Sequence, residues 1–147
     1  MIDQSLLFQA KSFLCWDRFP ELSIQLVPLQ SVVGYFYPPQ QDLASIVIFH
    51  DTSKRDVTEA LCFLFHEVGH YLQWQSASEK EETKNFLKKL QLDKGKKKIE
   101  FETEAWELGE KIFAEFIARA DELTETILND FEKLKQNSLQ TYFEEGV

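Results

Sequence analysis

The segment His66-Glu67-Val68-Gly69-His70 constrains the fold of this chain more than any other part of the sequence. Apolar residues flank the segment on both sides, at 61–65 and at 71–72, which predicts a largely buried helix. Residues four apart lie on one face of a helix, one turn apart, so both imidazoles can reach the same metal ion. A fold that buries this helix must bring a further metal ligand to it from another element.

Glu67 is rotated by roughly 100° from His66 around such a helix, which keeps it near the metal but outside the ring of ligands. In that position it can take a proton from water and pass it to a leaving amine. Gly69 is unfavourable inside a helix by about 1 kcal/mol, and its place suggests that a side chain there would crowd the backbone near the metal. The alternative is a chance His-Glu-x-x-His pattern in a helix that binds no metal.

A catalytic zinc ion usually has three protein ligands and leaves its fourth position to water. No histidine follows the motif, and the helical run 99–108 offers Glu100, Glu104 and Glu107 at i, i+4 and i+7 on one face. An acidic face is usually solvated surface, and three such carboxylates repel one another unless a cation gathers them. Apolar neighbours crowd this face, so we expect some of these glutamates to enter the core.

The motif together with Glu104-Ala105-Trp106-Glu107 resembles the gluzincin metallopeptidases, and among them the minigluzincins and the ImmA/IrrE-like peptidases. The resemblance covers roughly residues 32–118. It implies zinc as cofactor, Glu104 as the third ligand with Glu100 as the alternative, and Glu107 as a group that orients a ligating histidine. Trp106 departs from the ImmA type, which usually carries a small polar residue at that position.

The expected function is hydrolysis of a peptide bond in a peptide or protein substrate, with zinc on His66, His70 and Glu104 and with Glu67 as general base. A strand edge would hold the extended peptide by main-chain hydrogen bonds. Tyr37 and His50, near the ends of adjacent strands, are the candidate donors to the oxyanion.

Three alternatives to this site and function stay open. In the first two, the chain is either a zinc-binding domain that is latent or inactive, or a protein-binding module that regulates a partner without cleavage. An intact Glu67 favours the enzyme, because neither of those roles needs that carboxylate. Cys62, one turn before His66, is a conceivable sulfur ligand, but a fourth protein ligand would leave no place for water.

The periodicity of the remaining sequence predicts an α+β fold in a single domain, 1–147, with a small antiparallel sheet packed on the motif helix and the glutamate helix. The 147 residues are 44% hydrophobic, enough for one core. Strands are expected at 22–29, 32–37 and 43–49, the last two joined by the turn 38–41 and the first near an edge. Helices are expected at 5–19, 55–75 with caps in 51–53, 79–92, from about 98, and at 121–137.

The net charge of −9 disfavours general nucleic-acid binding. The basic residues between Lys88 and Lys98 are interpreted as an exposed loop. The N-terminus has no basic segment of a signal peptide, and no apolar stretch approaches 18 residues, so we expect a cytoplasmic protein without a membrane partner.

The sequence ends in an aromatic and acidic segment, residues 142–147. Most chain ends fray, which is the simple interpretation. The competing hypothesis is a self-inhibitory plug, in which a tail carboxylate occupies the open metal position and Phe143 fills an apolar specificity pocket.

Overall fold

The computed structural model describes residues 3–39, 43–120 and 124–143. It has the predicted α+β architecture, with a three-stranded sheet packed against helices. Gln40 and Gln41 of the predicted turn, and the predicted helix start at 121, lie outside the described residues. The elements in chain order are α1 Gln4–Ser12, a π-helical continuation Phe13–Arg18, β1 Leu22–Pro28, β2 Val33–Tyr37, β3 Ala44–His50, α2 Thr58–Glu79, α3 Thr83–Gln91, α4 Lys96–Arg119 and α5 Thr124–Gln140.

The sheet has the order β1-β3-β2, so the first strand is at an edge, as predicted. β2 and β3 pair antiparallel, with Phe36 opposite Ile46. β1 pairs parallel with β3, with Ile24 opposite Ile46, so the prediction of an antiparallel sheet is wrong for this pair. The reason is topological. β3 lies between the two other strands, and β1 and β2 run in opposite directions, so β3 is antiparallel to β2 and parallel to β1.

One face of the sheet packs against α2. Along β3, Ala44, Ile46, Ile48 and His50 are buried and alternate with half-buried residues, which is the period of a strand with one face in the core. The opposite face carries Tyr35 and Tyr37, which are 47% and 50% exposed. The sheet is therefore a single layer that covers one side of the motif helix.

The motif helix α2 crosses α4 at very short distance because both helices carry a glycine at the crossing. A Cβ atom on Gly69 would overlap the backbone carbonyl of Ala105, and one on Gly109 would overlap the carbonyl of Phe65. These contacts run in opposite directions along the two helices, so α2 and α4 are antiparallel. The crowding predicted at Gly69 is real, and the crowding group is the backbone of α4.

The N-terminus of α2 differs from the prediction. The helix begins at Thr58, and Asp56 accepts hydrogen bonds from the Thr58 amide at 3.0 Å and from its hydroxyl at 2.6 Å. Asp51, in the predicted capping segment, instead closes a separate turn with Ser53.

α5 completes the core beside α2 and α4. Its Phe131 is fully buried, with its ring centroid 5.2 Å from that of Trp106 and 4.9 Å from that of Phe113. The chain then turns back, and the Tyr142 carbonyl accepts a hydrogen bond from the Gly95 amide at 2.8 Å. No helix in the described residues has the length and apolar character needed to cross a membrane.

Candidate metal centre

Three buried side chains from α2 and α4 converge on one point. One ligand atom from each of His66, His70 and Glu102 lies within 4.8 Å of the others. Oε1 of Glu102 is 3.2 Å from His66 Nε2 and 3.3 Å from His70 Nε2. Two imidazole nitrogens and a carboxylate at these separations can hold a metal ion, and the two histidines are those that the motif spacing predicted.

A chain of hydrogen bonds fixes the proton on His70. Nε2 of Gln73 donates to the Phe101 carbonyl and to Oε1 of Glu104, both at 2.8 Å. The remaining amide oxygen, Oε1 of Gln73, is therefore the atom 2.8 Å from His70 Nδ1 and must accept from it. With a proton held on Nδ1, Nε2 is the nitrogen that faces Glu102, and it would offer a lone pair to a metal ion when His70 is neutral.

His66 is held by stacking. Its ring lies on the indole of Trp106, with centroids 4.2 Å apart and planes inclined by 18°. Its Nδ1 is buried and has no hydrogen-bond partner among the described residues. Trp106, which departs from the ImmA type in the sequence, thus forms the surface against which this ligand is oriented.

Glu102 is almost fully buried, with 3% of its surface exposed. Burial opposes its ionisation, but the adjacent His70 and the hydrogen bond with His66 hold the pKa of Glu102 well below its usual range. Its Oε2 lies 3.0 Å from His70 Nε2, yet without the geometry of a hydrogen bond. This buried oxygen has no hydrogen bond and lies between His70 and the Lys98 ammonium, which is 3.5 Å away, so it keeps a lone pair that a bound cation could use.

Burial shifts the pKa values of His70 and Glu67 in opposite directions, and nearby charges oppose both shifts. It opposes protonation of His70, but the charge of Glu102 and the hydrogen bond to it leave the pKa of His70 raised. Burial raises the pKa of Glu67, and the neighbouring histidines oppose that shift only in part. A carboxyl of raised pKa holds a proton more readily than an exposed one does.

Glu67 faces the sheet. A Cβ on Gly34 of β2 would lie 3.1 Å from Cγ of Glu67 and 3.3 Å from its Oε1. The absence of a side chain at Gly34 therefore lets strand β2 pass directly over this carboxylate.

The structure brings Glu102, and not the predicted third ligand Glu104, next to the two histidines. Glu104 is exposed, and it accepts a hydrogen bond from Gln73, the residue that contacts His70. The alternative ligand Glu100 is also exposed. Glu107, expected to orient a histidine, is exposed and lies 3.9 Å from Lys135 Nζ, whereas Gln73 is the residue that orients His70.

The physical reason is the periodicity of α4. Glu100, Glu104 and Glu107 do share a stripe, but that stripe faces solvent. Glu102 is the carboxylate of the buried stripe, whose other members are Lys98, Phe101, Ala105, Trp106, Gly109, Ile112, Phe113, Phe116 and Ile117. The apolar residues at i+3 and i+4 from Glu102 were the signal that could have identified it.

Neither predicted oxyanion donor approaches the three converging side chains. Tyr37 is on the exposed face of the sheet, stacked on Tyr35 with centroids 6.2 Å apart. His50 is buried beside the first turn of α2, where it lines a cavity of about 430 Å³ together with Asp56 and Asp130. Cys62 is fully buried, is not part of the metal-binding group, and burial raises the pKa of its thiol.

Two further residues reach Glu102. The Tyr142 hydroxyl, from the turn after α5, is 3.2 Å from Oε1. The Lys98 ammonium is 3.5 Å from Oε2 and is buried, although the sequence placed Lys98 in an exposed loop. Phe143 is 46% exposed and does not fill a pocket, and residues 144–147 of the hypothetical plug lie outside the described residues.

The chain matches no protein-family model, and no curated protein or solved structure is significantly similar to it. By the geometry of the site, His66, His70 and Glu102 form a buried group able to hold a metal ion.

Proposed function

We propose that this chain is a zinc metallopeptidase of the gluzincin type, with His66, His70 and Glu102 as zinc ligands and Glu67 as general base. The observation that carries the proposal is the convergence of these three ligand atoms within 4.8 Å, with the motif glutamate directly beside them. The resemblance of the motif to gluzincins supports the same function, with the third ligand moved from Glu104 to Glu102.

The ligand set favours zinc over calcium and magnesium. Two neutral imidazoles and one carboxylate are the protein ligands of many catalytic zinc sites, which keep a fourth position open. Calcium and magnesium prefer sites made of oxygen ligands. When bound, zinc supplies a Lewis acid that activates water and polarises the scissile carbonyl.

The protein's own part in the chemistry falls to Glu67. Its carboxylate accepts the proton of the attacking water and then donates that proton to the leaving amine as the peptide bond breaks. Burial raises the pKa of Glu67, which favours uptake of a proton by this carboxylate.

Strand β2 is suited to holding the substrate. It is an edge strand that pairs only with β3 among the described residues, so its outer main-chain groups are available to an extended peptide. Because Gly34 of this strand lies against Glu67, a peptide added at that edge would run next to the base.

The second candidate function is a zinc-binding domain that is latent or serves as a regulatory protein-binding module. The burial of the site favours it, because His66, Glu67, His70 and Glu102 are each at most 7% exposed. A peptidase needs access for substrate, whereas a structural zinc site does not.

The Glu67→Gln variant separates these two functions. Glutamine keeps the shape of the side chain but cannot accept the proton, so zinc content should stay at one ion per chain while cleavage of a peptide pool falls by about 100-fold or more. Glu59→Gln, the same change at an exposed position of α2, serves as control. Equal cleavage by wild type and Glu67→Gln would exclude the peptidase and leave the zinc-binding module.

A further inference from the structure

The turn after α5 connects the end of the described chain to the metal centre. Tyr142 is fixed at two points: its carbonyl accepts from the Gly95 amide at 2.8 Å, and its hydroxyl donates to Oε1 of Glu102 at 3.2 Å. Oε1 is also the carboxylate oxygen within hydrogen-bonding distance of both histidines.

Lys98 supports the same carboxylate from the start of α4. Its ammonium lies 3.5 Å from Oε2 of Glu102 and donates to the Leu90 carbonyl at 3.0 Å. It also lies 5.4 Å from the ring centroid of Tyr142 and 5.6 Å from that of Phe101. The phenol ring and the ammonium therefore pack against each other, and each contacts one oxygen of the Glu102 carboxylate.

We propose that Tyr142 is a positioning residue that orients the Glu102 carboxylate for metal binding through its hydroxyl. The inference rests on the metal-binding part of the proposed function and not on the peptidase chemistry. A carboxylate on a helix can rotate about its side-chain bonds, and a directional donor on one oxygen limits that rotation. Because the same oxygen, Oε1, lies within hydrogen-bonding distance of both histidines, a donor that holds it in place keeps the carboxylate directed at His66 and His70.

This role belongs to the hydroxyl and not to the ring. The Tyr142→Phe variant would keep the contact with Lys98 and the backbone bond to Gly95, but Oε1 would lose the hydroxyl group as a donor. Partners that orient metal ligands typically change metal affinity by about 10–100-fold when they are removed. A residue that only packs would change the stability of the fold without changing the geometry of the bound metal.

The test compares Tyr142→Phe with wild type and with Tyr35→Phe, the same change at an exposed tyrosine of β2. Zinc affinity is measured by competition with a chromophoric chelator, and the visible absorption of the protein saturated with Co²⁺ reports the ligand geometry. We expect Tyr142→Phe to bind zinc about 10–100-fold more weakly and to change the cobalt spectrum, while Tyr35→Phe matches wild type.

Each other outcome overturns the inference. Wild-type zinc affinity in Tyr142→Phe would show that the hydroxyl does not position Glu102, while zinc binding by wild type would leave the proposed function standing. Weaker binding with an unchanged cobalt spectrum and a lower melting temperature of the metal-free protein would assign Tyr142 a structural role instead. Failure of the wild type itself to bind zinc would overturn both the inference and the proposed function.

Discussion

At the scale of single residues, the proton on His70 is set by a glutamine that no motif identifies. Gln73 joins His70 to the Phe101 carbonyl and to Glu104, so an exposed carboxylate determines the orientation of a buried ligand. The predicted ligand Glu104 lies on the expected helix, α4. It is connected to His70 by two hydrogen bonds through Gln73 and does not contact the imidazole itself.

Replacing Gln73 with methionine should weaken zinc binding by about 10–100-fold, because His70 Nδ1 loses the acceptor that keeps Nε2 free for the metal. The side chain remains similar in size, so the helix should stay folded. Gln75→Met on the same helix is the control, since Gln75 contacts the Tyr71 hydroxyl instead. Equal zinc affinities of the two variants in a chelator competition would show that Gln73 does not set the tautomer.

Single residues of the site differ in how far the sequence could identify them. His66 and His70 follow from their spacing, because a helix places residues four apart on one face. Glu102 could be identified as the acidic residue among the apolar neighbours of α4. The three glutamates at 100, 104 and 107 predicted a different stripe, which faces solvent. Tyr142 is 40 positions from Glu102 along the chain, and no local pattern links them.

At the scale of elements, the crossing of α2 and α4 determines whether the ligands meet. Gly69 lies between the two ligating histidines on α2, and the backbone at Ala105 follows Glu102 by one turn on α4. The closest approach of the helices therefore lies within one turn of every ligand. A change in the distance between the two helices should therefore affect metal binding more than it affects the rest of the fold.

The Gly69→Ala variant tests this crossing by whether it raises or lowers the free energy of unfolding. Helix propensity alone would stabilise the protein by about 1 kcal/mol. Overlap of the new methyl group with the Ala105 carbonyl should reverse that sign, push the helices apart and weaken zinc binding. Denaturant unfolding and chelator competition measure the two effects. A more stable variant with unchanged zinc affinity would mean that the helices do not pack this closely.

The elements themselves were largely predictable, and their pairing was less so. Alternating apolar residues predicted β1, and two runs on either side of the turn 38–41 predicted β2 and β3, all within a residue or so of their observed bounds, because both signals are local. The same alternation fits a parallel or an antiparallel neighbour equally well, which is why the direction of β1 relative to β3 was missed. That direction depends on the strand order, a property of the whole sheet.

At the scale of the whole molecule, four separate parts of the chain assemble around one buried point. β2 supplies the backbone over Glu67, α2 the histidines, α4 the carboxylate and the turn after α5 the tyrosine hydroxyl. Metal binding should therefore stabilise the long-range packing of these parts against one another, since the free energy of binding adds to that of folding.

The most direct test of this account is the zinc content of Glu102→Gln beside Glu104→Gln after loading and dialysis, by mass spectrometry. The two variants carry the same substitution two positions apart on α4, one in the buried group and one exposed. We predict one zinc ion per chain in wild type and in Glu104→Gln, and loss of the metal in Glu102→Gln, whose fold is checked by circular dichroism. Zinc retained by a folded Glu102→Gln and lost by Glu104→Gln would contradict the account.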